Sequence, residues 1–136
     1  MNKVNYLNPE GLHRNLAFSQ VVTVEGCMKT VYVGGQNAVD ASGTIVGKGD
    51  IEAQAEQVVR NLKVALQSAG ASIDQVIKWN VYIIQGLPLE PAYRAFMRAF
   101  GPVQNPPLIT LLFVSGLANP DFLLEVDVVA VTPADI

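Results

Sequence analysis

Apolar and polar positions change their period along the chain, and the changes mark its elements. Between residues 51 and 69, Ile51, Ala55, Val58, Val59, Leu62, Ala65 and Leu66 recur at three- and four-residue spacing, the stripe of an amphipathic helix. Asp50 is placed to cap its first turn and Gly70 to follow its last. Further on the period drops to two. Ile77, Trp79, Val81 and Ile83 alternate with Lys78, Asn80 and Tyr82, which predicts a strand. Pro88 and Pro91 bracket the start of a second helix, about 89–100, with Tyr93, Phe96, Met97 and Phe100 on one side. Residues 17–25 and 30–33 are rich in β-branched side chains and flank Glu25-Gly26-Cys27-Met28-Lys29, the pattern of a hairpin. Asn105-Pro106-Pro107 forces extended backbone ahead of a strand at 108–114, and a last strand covers about 122–132.

The expected order is β-β-β-α-β-α-β-β in one domain over residues 1–136: an α+β fold with a single sheet and two helices on one face. The strand at 108–114 is apolar at almost every position, so both of its faces need cover. Two helices cannot supply that, and a second subunit is expected to.

Composition sharpens this. Half of the 136 residues are apolar and only 15% are charged, below the roughly 25% usual for soluble domains. Disorder is excluded, since disordered chains are charge-rich and apolar-poor. Nine basic against twelve acidic residues leave a net charge of −3 with no basic block, which weighs against nucleic acid as a partner. The longest apolar runs, 108–118 and 122–131, are too short or too interrupted to span a membrane, and the N-terminus has no signal-like apolar core. A cytoplasmic location is expected, and the single Cys27 can form no internal disulfide.

Most local motifs carry no chemistry. Gly43-Thr44-Ile45-Val46-Gly47-Lys48 has three residues between its glycines where a phosphate loop needs four, and it reads as a hairpin tip. His13 and Cys27 are single, so no metal site and no cofactor are expected; both read as ordinary surface side chains. Glu125 and Asp127 differ. At i and i+2 on a strand they share one face, where paired carboxylates can divide acid and base duties or simply meet solvent.

Three stretches together resemble the Rid (YjgF) family, historically called L-PSP endoribonucleases. They are Val31-Tyr32-Val33-Gly34-Gly35-Gln36 with Val39-Asp40, then Asp50 through Ile83, then Pro106-Pro107 with Leu124-Glu125-Val126-Asp127. The likeness spans about residues 17–132. It implies a chorismate-mutase-like fold, a homotrimer, and a cleft between each pair of neighbouring subunits that takes a small molecule. In the deaminase branch such clefts hydrolyse 2-imino acids, an arginine clamping the substrate carboxylate and a glutamate handling the water.

Carried over residue by residue, the glutamate is Glu125, whereas Leu108 stands at the arginine position. Phe18 replaces a tyrosine, Gly34 a serine beside Gly35, Tyr93 an asparagine, and Thr110 matches a cysteine or threonine. Losing the clamp should cost at least tenfold to a hundredfold on 2-imino acids, since a charge-assisted hydrogen bond is worth about 1.5–3 kcal/mol. Arg14 or Arg94 could substitute. Two functions compete: a divergent hydrolase of imines or enamines whose substrate has an apolar body, and a non-catalytic trimer that binds a metabolite. A ribonuclease ranks third, for want of basic surface and of a second histidine.

Overall fold

The computed structural model describes residues 1–101 and 105–134. Its elements are β1 (Lys3–Leu7), β2 (Val21–Glu25), β3 (Met28–Gln36), α1 (Ile51–Ser68), a 3-10 turn (Ile73–Gln75), β4 (Val76–Ile84), α2 (Glu90–Phe100), β5 (Leu108–Val114) and β6 (Leu124–Pro133). The two helices lie where periodicity places them. Asp50 accepts a hydrogen bond from the Ala53 N–H at 3.1 Å, and Gly70, at φ 77°, turns the chain out of α1.

The main sheet has four strands in the order β3-β6-β4-β5; only the β4–β5 pair is parallel. One face is the core. Val31 and Val33 of β3, Leu124, Val126 and Val128 of β6, and Trp79, Val81 and Ile83 of β4 are buried there. They meet the stripe Ile51, Ala55, Val58, Leu62 and Leu66 of α1. Each large side chain so buried contributes about 1.5–3 kcal/mol. α1 lies across β3 and β6, and α2 packs beside α1.

The expected hairpin of 17–25 with 30–33 does not form. Its first strand begins only at Val21, and it pairs with β1, which no sequence pattern above predicts, in a separate two-stranded ribbon. The physical reason lies at Gly26. The Met28 N–H donates to the Gly26 carbonyl, a three-residue bend rather than a hairpin closure. Asn2 Oδ1 meanwhile accepts from the Cys27 N–H at 2.8 Å, which brings the N-terminal strand alongside. β3 pairs with β6 instead. No helix among the described residues is long and apolar enough to cross a membrane.

Candidate functional site

The sheet face away from the helices is where the polar chemistry collects. Strand register places Glu125 opposite Tyr82, Asp127 opposite Asn80, and Val129 opposite Lys78. On the far side of β4, Tyr82, Asn80 and Lys78 face Leu112, Thr110 and Leu108. Glu125 and Asp127 therefore share a face, as their spacing requires.

The two carboxylates are held differently. Asp127 accepts from the Asn80 amide at 2.8 Å, a cross-strand pair. Glu125 leaves the sheet toward β3. Its Oε1 accepts from Asn37 Nδ2 at 3.2 Å, and the same nitrogen donates to the Leu124 carbonyl at 3.1 Å. Asn37 is fixed in turn by Asn61 of α1, whose amide donates to the Asn37 and Val39 carbonyls at 3.0 and 2.9 Å. The carboxylate lies directly on Gly35: a Cβ there would overlap Glu125 Oε2 and come within 2.9 Å of its Cδ. Gly34 beside it has open space around it. Glu125, Gly34 and Gly35 thus form one nook at the β3–β6 side of the sheet.

Leu108 and Thr110 lie at the opposite edge, on β5. From the Glu125 rung to Leu108 there are two strand spacings and four residues, about 16 Å for ordinary sheet dimensions. A small molecule cannot touch both within one chain.

Phe18 and Tyr93 stand elsewhere again, on the helix side. Ser19 ties the N-terminal segment to the approach to β5: its hydroxyl donates to the Pro106 carbonyl at 2.6 Å and its N–H to the Pro107 carbonyl at 3.0 Å. Phe18 there meets His13 edge-on at 5.9 Å. Phe18 and Tyr93 line a chamber of about 1040 Å³ between α2 and strands β4 and β5. Trp79 is on its floor, in edge contact with Phe96 and Phe100 of α2, the ring centres 5.9 and 4.8 Å away. Arg14 lines a smaller cavity of about 350 Å³ that shares Tyr6, Asn15, Leu16, Asn105 and Pro106 with the chamber. Arg94, the other candidate substitute cation, is engaged by Glu52 at 3.2 Å and Glu90 at 3.3 Å. Hydrogen bonds from Arg98 and then Arg94 hold the Glu52 carboxyl below its usual range.

The sequence candidates therefore separate into a carboxylate nook (Gly34, Gly35, Glu125), an edge-strand pair (Leu108, Thr110) and an aromatic chamber with a cationic annex (Phe18, Tyr93, Arg14). Sequence reasoning missed Asn37, Asn61 and Asn80, which position the carboxylates. Asn61 carried a signal, since it follows Gln57 by one helical turn and accepts from it at 2.9 Å on a face next to the apolar stripe. No cluster of three metal-ligating side chains occurs among the described residues.

Comparison with known proteins gives one answer. The family model described as Endoribonuclease L-PSP matches residues 12–132. A RutC family protein of Synechocystis sp. is 32% identical over 117 residues, 85% of this chain and 86% of the relative. A crystal structure from Yersinia pestis, described as a protein of unknown function of the conserved Rid family, superposes with a TM-score of 0.79 at 30% identity. It covers 93% of this chain and 97% of the other. A rat 2-iminobutanoate/2-iminopropanoate deaminase is 34% identical over 67 residues, 49% of this chain and 47% of that protein.

Proposed function

Since the chain belongs to the L-PSP endoribonuclease (Rid, YjgF) family, we propose that it hydrolyses C=N bonds of small imines or enamines with an apolar body, in clefts shared between copies of the chain. The observation that carries this is the seat of Glu125. Its carboxylate is fixed by Asn37, lies on a glycine, and faces away from the core. Such a group can hold a water and take its proton as the oxygen adds to the imine carbon. The proton then passes to nitrogen, the C–N bond breaks, and the products are a carbonyl compound and ammonia. Imine plus water balances ketone or aldehyde plus ammonia, with no redox step. The rat relative named as a deaminase supports the reaction type.

The separation of Glu125 from Leu108 supports a composite cleft. Two half-sites at opposite edges of one sheet meet only when the β5 edge of one copy faces the β3 edge of the next. That is a head-to-tail contact, which closes as a ring when the rotation between copies is a whole fraction of a turn. Family resemblance supports a ring of three. The β5 surface is dressed for burial, with Leu112 and Phe113 each about half exposed in the isolated chain.

Leu108 sets the substrate. An aliphatic side chain cannot clamp a carboxylate, so the favoured imine lacks one at that end. The test measures ammonia release, above the spontaneous rate, from imines generated in situ by oxidases acting on L-alanine and on benzylamine. Wild type is expected to favour the benzylamine product. Leu108→Arg should raise turnover of the alanine product at least tenfold, and Glu125→Gln should cut all turnover by about 10²-fold. No acceleration of either imine, or an active Glu125→Gln, overturns the reading. The apolar Leu108 and Phe18 also favour a second reading, a binding protein without turnover. Ligands that raise the melting temperature yet remain unconverted would support it.

A further inference from the structure

We propose that the chamber under α2 and its annex form a separate ligand site, which takes a monocarboxylic acid with an aryl or branched-alkyl body. This goes beyond the hydrolase reading and does not rest on Glu125, which lies on the other face of the sheet.

The body's environment is set by the chamber. Its volume, about 1040 Å³, is at the upper end of small-molecule pockets, and Trp79, Phe96, Phe100 and Leu111 supply flat and branched apolar walls. α2 leans on α1 more than on the sheet, which is why space remains over β4 and β5. Asp74, an acidic wall residue, accepts from the Ser72 hydroxyl and is engaged there.

The head group follows from the annex, whose lining offers donors and few free acceptors. Arg14 has no carboxylate within ion-pair distance among the described residues. Asn8 and Asn15 have their side-chain oxygens occupied by the Gln20 and Ala17 N–H groups, at 3.2 and 2.8 Å. Their NH₂ groups have no acceptor among the described residues. The Ser19 hydroxyl is spent on Pro106. Burial raises the Tyr6 phenol above its ordinary value, so where the two cavities join it is a neutral donor. One guanidinium and several neutral N–H and O–H groups suit a single carboxylate, and the adjoining apolar chamber excludes a small inorganic anion as the best fit.

Trp79 is the only tryptophan of the chain and lies on the chamber floor, so its emission reports occupancy. Phenylbutyrate and its neutral amide are titrated into wild type, Arg14→Gln, Ala17→Phe and Glu125→Gln, each checked for unchanged circular dichroism. Phenylbutyrate should change the emission saturably. Its affinity should fall at least tenfold in Arg14→Gln, to the level of the amide, whose own affinity is unchanged by that substitution. Ala17→Phe, at the exposed wall, should weaken both. Glu125→Gln should bind as wild type, which separates this site from the hydrolytic cleft. An unresponsive Trp79, equal affinity for acid and amide in wild type, or loss of binding in Glu125→Gln overturns the proposal.

Discussion

At position 35 a hydrogen atom stands where any other residue carries carbon, and the Glu125 carboxylate occupies the space. The conflict with a Cβ falls on the end of a flexible side chain, not on backbone. Gly35→Ala should therefore displace the carboxylate without unfolding the sheet. The expected outcome is at least a tenfold loss of imine hydrolysis with a thermal midpoint within a few degrees of wild type. Gly34→Ala, with open space around it, should keep activity. A Gly35→Ala variant as active as wild type would detach Glu125 from the proposed chemistry. The sequence made the Gly-Gly pair and Glu125 legible, because strand period and family likeness both point at them. It hid Asn37 and Asn61, whose role exists only once α1 is laid across β3 and β6.

Elements were legible where one physical rule decided them. The α1 stripe, its Asp50 cap and the glycine after it left a single outcome. The ribbon was not legible, because β-branched content says that a strand forms and not which partner it takes. A bend at Gly26 and the hold of Asn2 on Cys27 decide that. Gln54 was equally hidden. It lies on the apolar side of α1, fully buried, and its side chain ties the helix to two loops. Nε2 donates to the Gly47 and Asp121 carbonyls at 3.2 and 2.8 Å, and Oε1 accepts from the Leu123 N–H at 3.0 Å. Leu at this site would fill the volume but leave the Asp121 carbonyl and the Leu123 N–H without a partner, while the Gly47 carbonyl keeps the Asp50 N–H. Gln54→Leu is expected to lower stability by about 2–4 kcal/mol, read from the urea midpoint at unchanged slope. An unchanged midpoint would mean that the loops find water or other partners.

On the proposed reading, each copy of the molecule supplies half of a cleft. Its low charge and apolar β5 strand raise the expectation of an assembled state, and Glu125, Gly34, Leu108 and Thr110 could be named from likeness alone. Their distribution over the two edges of one sheet could not be, since register is a property of the folded strands. The central claim is that a working cleft takes Glu125 from one copy and the Leu108 edge from another. Glu125→Gln and Leu108→Glu each break one half, and each should be inactive alone. Unfolded together in equal amounts and refolded, they should recover about a quarter of wild-type imine hydrolysis, the fraction of random contacts that pair two intact halves. Mixed assemblies that form, as native mass spectrometry would register, and yet remain inactive would contradict the composite cleft.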